Sequence, residues 1–203
     1  MKKVCYTVIM NGYDSLKEPR VVSEGWRYVC FTDDPSLKSK VWEIVPYTDH
    51  NRRVKILGHE YFKGITVYVD GSFTIKMNLN LLLRQHAFEF SIPRHPKRNC
   101  VYDELNYLVE HARVDMFAAE DQIERYKLDF FPTGYGLGEN GILIRDFDSE
   151  QVREVCKIWW AEFVNGVKRD QCSLTYCFWK VGMMPYYINR ASRDSYFKKH
   201  KHL

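Results

Sequence analysis

The sequence predicts an α/β sandwich with a mostly parallel central sheet and a helix-rich second half. In the first half, short hydrophobic runs end at acidic or Asn-Gly turns, which is typical of strands buried on both faces of a parallel sheet. Segments with apolar residues at helical spacing lie between these runs. The second half shows mainly helical spacing and one further strand-like run at residues 141–145.

The predicted strands are four hydrophobic runs rich in β-branched residues, each followed by a polar turn. They cover residues 4–10, 28–32, 41–45 and 65–69. The predicted helices begin with residues 52–62 and about 77–88. Two more are indicated by apolar faces at helical spacing: Leu105, Leu108 and Ala112, then Val152, Val155, Trp159 and Phe163. Ser149 is a plausible N-cap for the second of these two.

Length and composition favour one soluble domain over residues 1–203. The hydrophobic share of 45% supports a sizeable core, and no linker or low-complexity segment interrupts the chain. We expect no integral membrane segment and, without a signal peptide, a cytoplasmic location. The six cysteines form no CxxC pair, so we expect reduced, buried thiols.

The charge pattern is weak evidence about partners. A net charge of +4 spread along the chain argues slightly for an anionic small molecule and against a nucleic acid polymer. The one local excess of positive charge lies at residues 198–202, within a basic tail at 191–203. We interpret that excess as a solvated, frayed terminus in preference to a lipid or phosphate contact.

Polar residues that directly follow the predicted strands are the first candidates for a site, because ligands gather beyond the carboxyl ends of strands in open α/β sheets. Each taken singly is explained as a turn former. Acidic turns at successive strand ends are harder to explain that way. The candidates are Asn11, Tyr13 and Asp14, then Asp33 and Asp34, and then Asp70 and Ser72.

Asp70 is the best-placed of these candidates for chemistry. A carboxylate at this edge suits a hard divalent cation, Mn²⁺ or Mg²⁺, that bridges the phosphates of a nucleotide. Gly71 lets the backbone pass close to a ligand, and Ser72 offers a hydroxyl group.

Basic residues between the third and fourth strands provide a counterpart for anionic oxygens. Arg52, Lys55 and His59 recur at spacings of three and four and would share one face of a helix. A solvated basic face explains the same spacing equally well. Residues 94–100, which include His95 and Arg98, are either a phosphate-facing loop or an exposed connection.

Arg169, Asp170 and Gln171 follow a predicted helix and precede an amphipathic segment. A carboxylate beside an amide can orient a sugar's hydroxyl groups, and a carboxylate can act as a base or nucleophile. A plain helix N-cap at Asp170 is an equally good explanation.

Taken in order, these segments resemble a glycosyltransferase-like domain family known from plant MUCI- and TOD-type proteins and bacterial relatives. The ordered set carries the resemblance over nearly the whole chain, although no single motif is specific. Its segments are residues 11–14, 30–33, 52–59, 68–72, 94–104, Gln122 with Tyr126, 136–141 with Arg145, Trp159-Trp160, and 169–180.

The resemblance implies a GT-A-like three-layer sandwich and a nucleotide-sugar donor, with a UDP-sugar as the first candidate, and a carbohydrate or other hydroxyl acceptor. It divides the chain into a nucleotide-binding half at about 1–100, an acceptor and catalytic half at about 101–190, and the tail. By this analogy Asp70 holds the metal, and Asp170 with Gln171 positions the transferred sugar. The implied substrate-binding residues are Gly12, Tyr13, Asp14, Asp33, Arg52, Lys55, His59, Gly71, Ser72, His95, Arg98, Glu139, Asn140 and Arg169.

One departure from the family pattern bears on the metal. Such transferases have a second aspartate two positions after the first, whereas this chain has Ser72 there. Metal-independent transfer is therefore open, and His95 is a possible further ligand. Two other functions remain open as well: a sugar- or nucleotide-binding module without turnover, and a metal-dependent hydrolase.

Overall fold

The computed structural model describes residues 3–86 and 88–201, and its first half contains six strands and two helices. The strands are β1 Lys3–Ile9, β2 Trp26–Thr32, β3 Glu43–Pro46, β4 Ile65–Val69, β5 Phe73–Ile75, β6 Phe90–Pro93, β7 Ile142–Asp146, β8 Tyr186–Ile188 and β9 Phe197–Lys199. The helices are α1 Asn51–Ile56, α2 Leu79–His86, α3 Val101–Glu110, α4 Met116–Leu128, α5 Glu150–Asn165, α6 Leu174–Val181 and α7 Arg190–Tyr196. Short 3₁₀ turns occupy Gly58–Glu60 and Asp170–Cys172.

Seven of the described strands form the central sheet, in the order β3-β2-β1-β4-β7-β6-β8. Strands β3, β2, β1 and β4 run parallel to one another, and β8 is parallel to β6. Strand β7 is antiparallel to both of its neighbours, β4 and β6. The predicted α/β class with a mostly parallel sheet is confirmed.

Side-chain alternation along the strands divides the interior into two cores, one on each face of the sheet. In β1, Tyr6 packs into the core covered by α1, α3, α5 and α6, whereas Cys5 packs into the core covered by α2 and the small β5–β9 sheet. Both sides of the sheet are therefore covered, which gives the predicted three-layer sandwich.

Helix boundaries follow local chemistry. The hydroxyl of Ser149 accepts a hydrogen bond from the amide of Val152, so the predicted cap of α5 is confirmed. The helix predicted over residues 52–62 was too long, because α1 ends at Ile56 and a 3₁₀ turn follows. Gly58 in that turn lies against the Tyr6 hydroxyl so closely that a Cβ would overlap it.

The prediction of a frayed basic terminus was wrong for the residues that the structure describes. Residues 190–199 form α7 and β9, and β9 pairs antiparallel with β5. Tyr196 and Phe197 are buried, and His200 contacts the Thr74 hydroxyl through its Nε2 at 2.9 Å. Apolar side chains between the basic ones therefore anchor the segment, and charge composition alone conceals them. Residues 202 and 203 lie outside the described residues.

The six cysteines are free and buried, as predicted. Burial raises the pKa of the Cys30 thiol to about 12, which keeps it protonated at neutral pH. Among residues 3–86 and 88–201, no helix is both long and apolar enough to cross a membrane.

Candidate functional site

The candidate site lies at the edge of the sheet where β1 and β4 end. Asp70 follows β4 directly, and its amide donates a hydrogen bond of 2.8 Å to the carbonyl of Gly141, which precedes β7. A Cβ on Gly71 would lie 2.5 Å from the Ile9 side chain and 2.8 Å from Cβ of Asp14. The backbone after Asp70 therefore passes within contact distance of the loop that follows β1, and only glycine permits this approach.

The loop after β1 is fixed by two features. Asn11 and Gly12 both have positive φ angles, 57° and 61°, which turn the chain sharply after the strand. The amide of Asn11 donates to both carboxylate oxygens of Asp33, at 3.1 and 3.0 Å. Asp33 thus anchors the loop that carries Tyr13 and Asp14.

A buried ammonium group forms the floor of the site. The Lys55 side chain on α1 is only 2% exposed, and its Nζ lies 2.6 Å from Oδ2 of Asp170 and 3.6 Å from Oδ2 of Asp70. The same Nζ lies 5.1 Å from the centre of the Tyr68 ring. One cation therefore links the carboxylate after β4 to the carboxylate of the second 3₁₀ turn.

Asp170 is buried and held from several directions. Its main-chain carbonyl accepts hydrogen bonds from Nε1 of Trp159 at 2.8 Å and from Nδ2 of Asn140 at 3.2 Å. Nε of Arg52 lies 3.5 Å from its Oδ2. Burial raises the pKa of Asp170, but attraction to Lys55 and Arg52 outweighs it, and the net pKa is lowered. Asp170 is thus an ionised group that takes part in a charge network, and the alternative of a plain N-cap is wrong because Arg169 occupies that position.

Asp70 is engaged as well. The Tyr68 hydroxyl donates a hydrogen bond of 2.5 Å to its Oδ1, while its Oδ2 faces Lys55. Burial and the nearby charge of Asp70 raise the pKa of Tyr68, so this phenol stays protonated and remains a donor.

Two adjoining cavities open above this network and share Arg52, Asp70 and Arg169. The first has a volume of about 380 Å³ and the second about 350 Å³, which together suit a ligand of nucleotide size. We call them the loop cavity and the acidic cavity. The loop cavity is also lined by Asn11, Tyr13, Asp14, Asn51 and Gly71. The acidic cavity is also lined by Lys55, Ser72, Phe73, Arg113, Glu139, Asn140, Gly141, Asp170, Gln171 and Lys199.

Most of the candidate site residues named from the sequence line these two cavities. Six do not: Gly12, Asp33, Asp34, His59, His95 and Arg98. Gly12 and Asp33 shape the loop beside Tyr13. His59 lies in the 3₁₀ turn beyond α1, where its ring packs against Phe147, so the expected shared helical face with Arg52 and Lys55 was wrong.

His95 and Arg98 interact mainly with each other and with a buried acid. The amide of Arg98 donates to Nδ1 of His95 at 2.9 Å, and the Arg98 guanidinium forms an ion pair with Glu104. Burial lowers the pKa of His95, so the ring is neutral at pH 7 and attracts phosphate weakly.

Glu139 is positioned by the C-terminal segment. Its carboxylate forms an ion pair with the buried Arg193 of α7 and accepts from Nζ of Lys199 at 2.6 Å. Gln171 donates through Nε2 to the carbonyl of Gly138 at 2.6 Å, which ties the second 3₁₀ turn to the same stretch of backbone.

Sequence reasoning missed several lining residues. Lys199 belongs to the basic tail, whose apolar anchors would have suggested a packed position. Arg113 lies in a turn between α3 and α4, and Asn51 and Phe73 begin their elements. Nothing in the local sequence around these three residues indicates a site.

The donor set does not fit a divalent cation held by protein side chains alone. Within the described ranges, no three His, Cys, Asp or Glu side chains stand together as metal ligands. The carboxylates of Asp70, Asp170 and Glu139 already face a phenol or cationic groups. The expected Mn²⁺ or Mg²⁺ at Asp70 stays a prediction, and the arrangement of charges disfavours it.

Comparisons with known proteins agree with the architecture. The family model described as TOD1/MUCI70, glycosyltransferase-like domain, matches residues 1–202. The apo structure of the bifunctional glycosyltransferase WbbM is similar, with a TM-score of 0.50 and 8% identity, over 91% of this chain and 38% of that chain. The apo form of mouse xyloside xylosyltransferase 1 has a TM-score of 0.48 and 9% identity, over 91% of this chain and 84% of that chain. No curated protein matches the sequence. The likeness to WbbM indicates a shared fold only.

Proposed function

This chain belongs to the TOD1/MUCI70 glycosyltransferase-like domain family, and we propose that it transfers a sugar from a nucleotide-sugar donor to a hydroxyl group. A UDP-sugar is the first candidate donor, and a carbohydrate or another hydroxyl compound is the acceptor. One observation carries the proposal: Lys55 lies buried between Asp70 and Asp170 at the floor of the acidic cavity, and the walls that this cavity shares with the loop cavity carry Arg52 and Arg169. Such cationic groups suit the oxygens of a diphosphate.

The two cavities suggest how a donor lies. The loop cavity would take the nucleoside, because the Tyr13 ring is 63% exposed beside it and offers a face for a base. The shared arginines would take the diphosphate. The acidic cavity would take the sugar, where Gln171 and Asn140 supply amides for its hydroxyl groups. Both halves of the chain contribute, which supports treating residues 1–203 as one domain.

In the proposed reaction, the acceptor hydroxyl oxygen forms a bond to the anomeric carbon of the donor sugar. The bond between that carbon and the terminal phosphate oxygen breaks, and the nucleoside diphosphate departs with the electron pair. The lowered pKa of Asp170 makes it a weak base, so the hydroxyl proton passes to the departing phosphate oxygen. Asp170 instead orients the sugar and stabilises positive charge that develops at the anomeric carbon.

Arg52, Lys55 and Arg169 would stabilise the negative charge that builds on the diphosphate. Burial and the attraction of Asp170 act in opposite directions on the pKa of Arg52, and the net pKa is raised, so it keeps its charge. No step of this proposal passes through a metal ion, because the cationic side chains already stand where the charge develops.

The direct test is a turnover assay with UDP-, GDP- and ADP-sugars and a panel of hydroxyl acceptors, followed through nucleoside diphosphate release. We expect slow release from one donor. The rate should fall by about 100-fold in Asp170→Asn and about tenfold or more in Arg52→Gln, the scale seen when one charge-stabilising group is removed. The matched control is Lys38→Gln at an exposed position, which should leave the rate unchanged.

Two results would contradict the proposal. Tight nucleotide binding without turnover of any donor would identify a sugar- or nucleotide-binding module. Release of a nucleoside diphosphate with free sugar and no glycosylated acceptor, or cleavage to a nucleoside monophosphate and a sugar phosphate, would identify a hydrolase.

A further inference from the structure

A third cavity adjoins the acidic cavity and differs from it in chemistry. Its volume is about 400 Å³, and it lies between the turn that joins α3 to α4 and the turn that follows α5. It shares Arg113 and Arg169 with the acidic cavity. Its other lining residues are Val114, Asp115, Ala118, Gly166, Val167 and Lys168.

We propose that this third cavity is the acceptor subsite and that it takes an acceptor with an apolar group next to an anionic one. The inference rests on the proposed transferase function, because it assigns a place to that reaction's second substrate. An acceptor in this position would reach the acidic cavity past Arg113 and Arg169.

Buried contacts with Gln122 hold one side of the cavity in place. Gln122 is fully buried, and its Oε1 accepts from the amide of Val167 at 2.8 Å while its Nε2 donates to the carbonyl of Cys172 at 3.0 Å. A Cβ on Gly166 would overlap the Gln122 amide oxygen. The backbone that forms one side of the cavity is therefore pinned to α4, as a binding surface with little reorganisation cost requires.

The apolar character comes from Val114, Ala118 and Val167. Such a surface favours an aryl or alkyl group over a bare sugar, because a sugar ring presents hydroxyl groups that these side chains cannot satisfy. This separates the third cavity from the polar acidic cavity, where amides and charges line the wall.

The charge that an occupant of this cavity should carry follows from the charged side chains that line it and from their existing hydrogen bonds. The Asp115 carboxylate caps α4 by accepting from the amide of Ala118 at 2.8 Å. The Lys168 ammonium donates to the carbonyls of Phe163 and Val164 at the end of α5. Arg113, Lys168 and Arg169 outweigh the one carboxylate of Asp115 among the described lining residues, and the exposed guanidinium groups of Arg113 and Arg169 are the cations free of such backbone bonds. They favour a carboxylate or a phosphate.

The test measures binding without turnover, by calorimetric titration of the whole chain. Four probes separate the two features: 4-nitrophenyl glucuronide, 4-nitrophenyl glucoside, methyl glucuronide and methyl glucoside. We expect the first to bind at least about tenfold more tightly than either compound that lacks one feature, which is the scale of one charge-assisted contact or one apolar ring.

Two variants and one control locate the binding. Ala118→Leu fills the apolar wall, and Arg113→Gln removes the cationic group, so each should weaken binding of 4-nitrophenyl glucuronide by about tenfold. Arg84→Gln, an exposed position on α2, should not. A UDP titration of each variant and its thermal unfolding midpoint verify that the variant is folded.

The inference is overturned if none of the four probes binds the wild type, or if 4-nitrophenyl glucuronide binds both variants as tightly as the wild type. Its failure is distinct from failure of the proposed function. Loss of probe discrimination with intact UDP binding and turnover removes the acceptor subsite alone, whereas probe binding without any UDP binding or turnover removes the transferase.

Discussion

Two buried cations lie at the C-terminal end of helix α1, and they are held in different ways. Lys55 is 2% exposed and faces the carboxylates of Asp70 and Asp170 below the cavities. Arg145 of β7 is fully buried, and its guanidinium donates to the carbonyl of Ile56 at 3.1 Å, to the carbonyl of Lys55 at 2.7 Å and to the Tyr6 hydroxyl.

The difference indicates separate roles for the two charges. Carbonyl oxygens at the end of a helix lack partners within the helix, and Arg145 satisfies them. Lys55 lies between two carboxylates next to an opening that Arg52 and Arg169 also line, and these added cations let an incoming anion join the network. Arg145 therefore holds the backbone of α1, and Lys55 uses that fixed backbone to present its charge.

The largest expected effect is on turnover in Lys55→Met. Removing this ammonium takes away one group that stabilises the departing diphosphate, so the turnover rate should fall by about 100- to 1000-fold. Lys55→Arg should retain part of the rate because the charge remains. A turnover rate in folded Lys55→Met within a factor of about three of the wild type would mean that Lys55 does not stabilise the departing diphosphate.

A second effect is expected on stability in Arg145→Met. The carbonyls of Lys55 and Ile56 and the Tyr6 hydroxyl lose a partner in the core, and the free energy of unfolding should fall by about 3 kcal/mol. Urea unfolding measures this change, with Arg84→Met on the exposed face of α2 as the control. A loss below about 1 kcal/mol would mean that Arg145 does not hold the end of α1.

A third, smaller effect is expected on the free energy of unfolding at acidic pH. The folded-state pKa of Asp170 lies below its ordinary value, so its charge contributes stability that is complete above the unfolded pKa. That contribution is lost as the pH falls through the folded pKa. Asp170→Asn should therefore show a smaller loss of unfolding free energy between pH 6 and pH 3 than the wild type.

The pH series also separates the two cations. Within the described part of the chain, Arg145 forms no ion pair with a carboxylate. Arg145→Met should therefore keep the acid dependence of the wild type while having a lower free energy of unfolding at every pH. An acid limb that is identical in wild type and Asp170→Asn would show that the Lys55 network contributes nothing to the pH dependence.

The smallest expected effect is at the rim of the acidic cavity. The Lys199 side chain is half exposed, and its ion pair with Glu139 should contribute about 0.5 kcal/mol or less to unfolding free energy. Lys199→Ala should therefore unfold within that margin of the wild type in urea. A loss above about 2 kcal/mol would mean that the C-terminal segment depends on this contact more than on buried Tyr196 and Phe197.

The sequence predicted those features that depend on residues close to one another along the chain, and it did not predict those that depend on distant residues. Strands β1, β2 and β4 and the cap at Ser149 follow from local patterns, and they were predicted. The strands β5 and β9 are three residues each and pair across more than a hundred positions, so no local period indicates them. The same holds for Arg145, which is one basic residue in an apolar strand and whose partners are backbone carbonyls of a distant helix.

The residues of the candidate site were likewise predicted in part. The spacing of Arg52 and Lys55 indicated an anion-facing surface, and both residues line the acidic cavity. Spacing also assigned His59 to that surface, but α1 ends at Ile56 and His59 lies in the 3₁₀ turn that follows. Periodicity alone does not show where a short helix ends and a 3₁₀ turn begins.

The central claim is that a diphosphate binds against Arg52, Lys55 and Arg169 without a metal ion. Calorimetric titration of UDP into the wild type in the presence of EDTA tests it most directly, beside Arg52→Gln with Arg169→Gln and the control Lys38→Gln. We expect binding to the wild type and the control in EDTA, and a loss of about 100-fold in affinity in the double variant. Binding that requires Mn²⁺ or Mg²⁺, with equal affinity in the wild type and the double variant, would contradict it.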